Sequence, residues 1–463
     1  MSVRIFSLLI LLAISLSSCR YLEIDTPGII DRDRMFEDEQ GYRDALMGIY
    51  SSLTSPDLYG KELSFGFIDE IAQLYYNDFQ RNATTLTKTY DLRYRDPDVR
   101  KRIDAIWKRS YRTIAAINSL LEYTEGVSLP SIREIRGEAL AMRAFIHFDI
   151  LRLFAPNADR PSAEGIPYVT TYTIEPQPYL SVSMVYDAIL EDLHDSRALL
   201  STTTKDRNLY ITPAAVEAIL ARVHLWHGDL QEAADYARRV IGRGYTLVRE
   251  EQVKMLFMGY SARSETIWAL HAPRLYLSVR ESLYPSMRTA KMNMVRSNYR
   301  KLFHTNSFTS LSNDYRFQAY FTHTDWGRPV VAFTKLYDKN YEETQSFREG
   351  RVPAINMIRI PEMYYILAES LYPRSPQESL HALNTVVTAR GLAPLPMESI
   401  DTQDKFREVL LNEIVKEYWG EGQIFFAYKR FSRSMQGLDD KVYPASDATY
   451  ILPLPEDEKD SGL

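Results

Sequence analysis

Cysteine is almost absent from this chain: one occurs in 463 residues. A single thiol excludes any disulfide within the chain and any zinc site built on paired cysteines. Basic excess is missing too. The net charge is −6, which argues against nucleic acid as a partner, because phosphate neutralisation calls for a basic stripe. Apart from Ile5 to Leu16, no apolar run comes near spanning length. That one falls short of the about 20 residues a membrane-crossing helix requires. There is no HExxH, no phosphate-binding Gly-rich loop and no G-x-S-x-G elbow. Composition is otherwise that of a globular chain, 45% hydrophobic and 25% charged, long enough to bury a large core without disulfides.

The one cysteine is informative by its place. Cys19 closes Leu16-Ser17-Ser18-Cys19, directly after the apolar run. Arg4, the run Ile5 to Leu16 and the small residues behind it have the layout of a secretory signal peptide. The last four residues resemble a bacterial lipobox. The resemblance implies that residues 1–18 are removed and that the Cys19 thiol is acylated, with palmitate among the chains. Several acyl chains exceed the two signals that stable membrane anchoring needs. Residues 19–34, polar and containing Pro27 and Gly28, then read as a lipidated tether, and residues 35–463 as one body held to a membrane at one end.

Tyrosine is abundant, with 32 residues beside 19 Phe and 5 Trp. Many stand among polar neighbours, as in Tyr75-Tyr76-Asn77-Asp78 and in Tyr90 to Tyr94. Aromatic rings with a polar rim suit a surface that binds while wet.

The dominant periodicity is helical from Met35 to about Gly244. Leu46, Ile49, Tyr50 and Leu53 share one helical face; Ile103, Ile106, Trp107, Tyr111, Ile114, Ile117 and Leu121 share another, followed by Ser131 to Phe154. Thr212 to Gly244 is the clearest unit. Thr212 caps a helix with Pro213 at its first position, and alanines recur at 214, 215, 218 and 221. Gly228-Asp229 turns the chain, and Ala233, Ala237 and Ile241 mark the returning helix. Small residues at fixed places in paired helices give the pattern of a tetratricopeptide hairpin. A looser copy spans Pro361 to Gly391. Residues 251–352 break this rhythm with short strand patterns at Glu265–Leu270 and Val330–Thr334 inside an irregular, aromatic stretch too long for an ordinary connection. A last helix covers Phe406 to Arg430, and residues 431–463 form an extended tail. The fold class is therefore mainly α: tetratricopeptide-like hairpins over 35–250 and 353–430, with an irregular, partly β insertion.

These pieces together resemble the SusD/RagB family of outer-membrane nutrient-binding lipoproteins. The matching residues are the lipobox with Tyr21 to Pro27; Trp107, Tyr111, Ile114, Ile117 and Asn118; Gly137 to Phe145; the Thr212 hairpin with Gly244 to Leu247; Pro361 to Glu369; Glu421-Gly422-Gln423 with Phe425 and Phe426; and Leu452 to Pro455 with Glu458. The resemblance implies a right-handed helical superstructure on the cell surface, anchored to the outer membrane. It implies that the protein forms a lid over a TonB-dependent transporter of the SusC type and captures an oligosaccharide or other polymeric nutrient, with no catalysis; the residues themselves indicate no cofactor and no catalytic metal site. The chain departs from the family pattern at Val387, Ala389, Ile414, Ile424 and Ala427, where charged residues are usual. That marks a divergent member, and starch is not carried over as its ligand.

The ligand face is placed on aromatics in non-helical, polar context: Tyr75, Tyr76, Asn77, Asp78 and Tyr94 early in the chain, and Trp326 in the insertion. Trp107, Arg143, Glu369 and Glu421 are read as structural. His224 and His227 have the spacing of metal ligands but no third partner in sequence, and are also read as structural. The alternative to a transporter-associated binding protein is a periplasmic tetratricopeptide-type adaptor that binds protein partners.

Overall fold

The computed structural model describes residues 32–75, 84–201, 208–257, 264–283, 293–294, 302–303, 312–324, 330–337, 353–437 and 441–460. The chain divides into two compact units, up to Asp44 and from Ala45 onward. In the first, Arg32–Met35 is one helical turn within a stretch read from sequence largely as tether, and the ring of Phe36 tilts against Tyr42 at 5.0 Å. Helix α1 (Glu39–Leu53) follows. Beyond it the chain turns through residues 54–66 into a short helix, Phe67–Ile71, so among the described residues no helix of similar length follows α1 directly.

The second unit is a stack of helical hairpins. Helices α2 (Pro97–Thr124) and α3 (Pro130–Phe154) form the first. Asp96 caps α2 through the amide of Asp98 and both helices begin on proline, which lacks only an amide the helix could not use. Every residue of α3 from Gly137 to Phe154 is buried, as expected of a helix with neighbours on all sides. Helix α4 (Val182–Leu199) packs on α3, then α5 (Pro213–His227) on α4, and α6 (Leu230–Ile241) on α5. The Thr212 hydroxyl accepts from the Ala215 amide, and Gly228 ends α5 at φ +100°. That left-handed turn is open to glycine at little cost.

Residues 155–181 depart from the helical expectation. They carry five prolines, at 156, 161, 167, 176 and 178, which deny the segment amide donors and fix its backbone away from helix. This strap is fastened to the first hairpin instead: Asn118 donates to the carbonyls of Val169 and Thr171, and Tyr111 to that of Pro167.

The insertion contributes strands to two small antiparallel sheets. Strand β1 (Thr266–His271) pairs with a strand just past the insertion; β2 (Asn293–Met294) belongs to a second sheet. A short helix α7 (Tyr315–Tyr320) leads into β3 (Phe321–Thr324), which pairs with β4 (Val330–Phe333), itself flanked by β2. The partner of β1 is β5 (Ala354–Arg359). The sequence patterns found β1 and β4 and missed β5. Helices α8 (Ile360–Leu371) and α9 (Pro376–Ala389) then rejoin the stack, with α8 packed on α6 across the insertion.

The final helix of the sequence reading is two helices, α10 (Gln403–Tyr418) and α11 (Ile424–Arg430). Gly420 and Gly422 between them lie at φ +81° and +72°. A Cβ on Gly420 would stand 2.5 Å from the Phe333 ring, and one on Gly422 2.2 Å from the Leu63 carbonyl oxygen, so both backbone shape and close packing require glycine. The departures at Val387, Ala389, Ile414, Ile424 and Ala427 are all buried apolar positions.

Candidate functional site

A depression of about 440 Å³ lies where the early turns, α10 and the tail meet. Ala72, Gln73 and Leu74 form one side. Helix α10 supplies the exposed Glu408 and Asn412 and the buried Val415, with Trp419 just past its end. Tyr428 on α11, Arg433 to Gln436, and Leu302 from the insertion complete the wall. Tyr428 presents a half-buried ring and Asn412 an exposed amide. Glu408 and Arg433 are exposed and make no ion pair among the described residues.

Its floor is rigid. The Trp419 carbonyl accepts from the Lys335 amine at 2.9 Å, and its ring meets Phe321 edge-on at 5.4 Å. Asp69, fully buried, accepts from the Gly420 amide at 2.8 Å and from the Tyr75 hydroxyl at 3.1 Å. Burial pushes its carboxyl well above the usual carboxylate range, so the group tends to the neutral form. Gln73 sits at φ +62°, in the left-handed region that costs a residue with a Cβ of order 1–3 kcal/mol. Its amide nitrogen donates to the Tyr90 carbonyl at 2.8 Å, while its Oε1 has no partner. The Trp419 indole nitrogen also has none. A strained residue and two buried polar atoms without partners thus stand in the wall of one cleft, each costing about 1–3 kcal/mol unless water or a ligand reaches it.

Behind the cleft, charged side chains tie the insertion to the scaffold. Arg316, Lys335, Arg359 and Arg390 interlock with Glu265, Asp314, Glu413, Glu417 and Glu421, and Lys416 adds a bond to Glu413. Burial pushes the Lys335 amine down to about 8 despite its contact with Glu421.

The sequence-named residues divide clearly. Tyr75 is fully buried and Tyr94 6% exposed. The Tyr75 ring is wedged between Phe333 and Trp419, and the Tyr94 hydroxyl donates to the Thr449 carbonyl at 2.8 Å. Neither ring offers a face to solvent, so both are core residues and not ligand platforms; polar sequence neighbours misled because long-range partners cover them. Tyr76, Asn77, Asp78 and Trp326 lie outside the described residues, as does Cys19. In sequence the first three come one residue after the wall residues 72–74, past the buried Tyr75, and Trp326 falls between β3 and β4. Gln73, Asn412, Trp419 and Tyr428 were missed. Asn412 and Tyr428 fall inside apparently regular helix, and only the glycines after Trp419 signal a break.

Two family models match. One, described as "Starch-binding associating with outer membrane", covers residues 67–225. The other, the SusD family model, covers residues 270–461.

The chain belongs to the SusD/RagB family.

Its relatives include SusD-like proteins P2 and P25 of Formosa agariphila. The first is 24% identical over 241 residues, 50% of this chain and 45% of that protein. The second is 22% identical over 271 residues, 56% of this chain and 50% of that protein. The chain thus spans about half the length of these relatives. Among solved structures, its fold is similar to a SusD superfamily protein from Bacteroides thetaiotaomicron, with TM-score 0.74, 22% identity, and 91% of this chain and 97% of that one covered. A SusD-like carbohydrate binding protein from Bacteroides vulgatus gives 0.75, 21%, 91% and 96%. A laminarin binding SusD-like protein gives 0.68, 17%, 92% and 98%. At these identities the likeness is one of fold.

In this SusD/RagB chain the residues read as structural are occupied by packing. Arg143 makes a two-pronged pair with Asp192 at 2.7 and 2.6 Å. Glu369 pairs with Arg430, and Glu421 receives Arg359 and Lys335. His224 and His227 both turn their Nδ1 atoms onto Asp229, at 3.2 and 2.8 Å. Among the described residues no group of His, Cys, Asp or Glu has the arrangement of a metal site, and no helix is long and apolar enough to cross a membrane.

Proposed function

We propose that this protein is a lipid-anchored, non-catalytic lipoprotein on the outer-membrane surface that captures an oligomeric glycan in the 440 Å³ cleft and hands it to a TonB-dependent transporter of the SusC type. The observation that carries the reading is the cleft wall, where the half-buried Tyr428 ring and the exposed Asn412 amide line one depression. A sugar presents hydroxyls that both donate and accept, and C–H faces that pack on aromatic rings. The family description that names starch, and neighbours whose names record carbohydrate and laminarin binding, support the same ligand class. Tyr76, Asn77, Asp78 and Trp326 remain proposed contacts. A periplasmic adaptor needs only a helical groove and leaves the cleft without a role.

Titration with laminarin and with maltoheptaose tests the reading. The expected Kd is micromolar or weaker, about −8 kcal/mol or less favourable, since captured ligand must be released. Asn412→Ala, on the exposed face of α10, and the double change Tyr76→Ala with Trp326→Ala should each raise Kd about tenfold or more with the melting temperature unchanged. Variants that bind as the parent does, or a parent that binds no glycan across a broader panel, would overturn the assignment of the cleft.

The anchor has its own test. Cys19→Ala should move the folded body from the membrane to the soluble fraction, because attachment is covalent and the following segment is polar. Membrane association of that variant persisting at high salt would show that another element holds it.

A further inference from the structure

The shape of the cleft depends on how α11 is set against α10, because Asn412 stands on one helix and Tyr428 on the other. The turn between them, residues 419–423, is held from two sides. On its amide side Asp69 accepts from Gly420 at 2.8 Å. On its carbonyl side stands one amine. Lys335, two residues past β4 and 1% exposed, donates to the carbonyls of Glu417 and Trp419 at 3.0 and 2.9 Å and to Glu421 Oε1 at 2.5 Å. The last carbonyls of a helix have no partner within it, so a side chain from the insertion completes the end of α10.

The surroundings of this amine suit its charged form. An ammonium has three N–H donors and no acceptor, and here it meets three acceptors. The rings of Phe257 and Tyr320 each lie 4.2 Å from the nitrogen, contacts that favour a cation. The acceptors are not equally supplied. The Glu417 carbonyl and Glu421 Oε1 also receive Arg359 Nη2, at 3.1 and 2.6 Å. The Trp419 carbonyl has no second donor among the described residues. A neutral amine keeps two N–H bonds and gains a lone pair, which repels the oxygen it faces. Arg359 covers two of the three oxygens, so the Trp419 carbonyl is the contact at stake. Burial brings the amine down from its ordinary 10.5 to about 8, with Glu421 opposing and Arg359 adding to the shift. Of the other ionisable groups around it, Glu417 on α10 is held well below 4.5 and Tyr320 on α7 well above 10, while burial keeps Asp69 toward its neutral form. Lys429, on α11 itself, is lowered to about 7 by burial and the Arg152 charge, but its bonds run the other way, to the carbonyls of Arg152 and Ala155.

We propose that Lys335 is a positioning residue for the cleft: its third N–H holds the Trp419 carbonyl, fixes the turn between α10 and α11, and makes glycan binding depend on the proton the amine carries. The inference rests on the reading of the cleft as the glycan site and adds to it a proton-linked control.

Laminarin and maltoheptaose carry no group that titrates near neutrality, so a pH dependence of their binding belongs to the protein. With the full chain in detergent, Kd should be level from about pH 6.5 to 7.5 and rise about fivefold or more by pH 9.5. Between about 8 and 10.5 the unfolded chain still holds the proton that the native amine has released, so this group adds to stability as pH rises. The melting temperature therefore separates weakened binding from unfolding. Lys335→Met combined with Glu421→Gln removes one buried charge of each sign. At pH 6.5 it should bind about fivefold or more weakly than the parent, with no further rise toward pH 9.5. Lys429→Met is the control and should keep the rise. Crystals of the parent at pH 6.5 and 9.5 give a measurement that needs no variant to fold: the contact of the Lys335 amine with the Trp419 carbonyl should be present in the first and lost in the second. A parent that binds at pH 7 with Kd level to pH 9.5 overturns the inference and leaves the cleft reading standing. A rise that survives in the double variant, or a contact unchanged between the two crystals, overturns it too. A parent that binds no glycan at any pH overturns both the cleft reading and this inference.

Discussion

Glu417→Gln is expected to cost about 3–5 kcal/mol of stability, the range for stranding one side of a buried ion pair. Glu417 is fully buried and accepts from Arg359 at 2.7 Å, from Arg390 at 3.0 and 2.8 Å, and from Arg316 at 3.4 Å. The three guanidinium groups are themselves fully buried. Five cations and five acids balance in this cluster, counting Lys416. Neutralising its centre leaves one positive charge without an answer in the interior. A urea titration at pH 7 checks it; an unchanged midpoint would show that the surrounding acids rebalance the cluster.

The same cluster fixes a pH dependence. Burial opposes ionisation of Glu417 and Glu413, but arginines 390 and 359 around the first, and Arg316 with Lys416 around the second, outweigh it. Glu417 is held well below its ordinary 4.5 and Glu413 at about 2. Between 4.5 and 2 the unfolded chain binds more protons than the native one, so stability rises with pH in that window. The contribution is complete above about 4.5 and lost as pH falls toward 2. Urea midpoints taken from pH 6 downward should therefore drop steeply for the parent and less for Glu417→Gln.

Trp107→Ala should cost a similar amount, about 3–5 kcal/mol, by a different route. Trp107 is 2% exposed on α2, and its ring meets Tyr111 at 4.7 Å and Phe154 at 4.8 Å. Removing it opens a cavity at the contact of α2 with α3, the hairpin against which residues 155–181 are fastened. The loss should appear in melting temperature and urea midpoint, with glycan Kd at temperatures below the transition unchanged. A normal melting temperature with weakened glycan binding would place Trp107 in the site.

Local rules made much of the scaffold legible before any coordinates. Thr212, Pro213, the spaced alanines and Gly228 specify α5 and α6 because capping, helix entry and a left-handed turn each depend on a few neighbouring residues. The strand patterns at β1 and β4 are short-range in the same way. The place of Cys19 behind an apolar run, and the ordered motifs from Trp107 to Glu458, pointed to the family from sequence alone.

What stayed hidden depends on residues far apart in the chain. The helical pattern from Phe406 to Arg430 runs through Gly420 and Gly422, and their role is set by Phe333 and Leu63, which crowd any Cβ there. Tyr75 reads as a surface ring among polar neighbours; Asp69, Phe333 and Trp419 make it core. The cleft gathers Gln73, Asn412, Trp419 and Tyr428 from segments more than three hundred residues apart, and no periodicity links them. Arg359, Arg390 and Glu417 look in sequence like solvated charges. Only the packing of the insertion against α9 and α10 excludes water from them, and that exclusion turns ordinary surface chemistry into the cluster on which the body's stability is expected to turn.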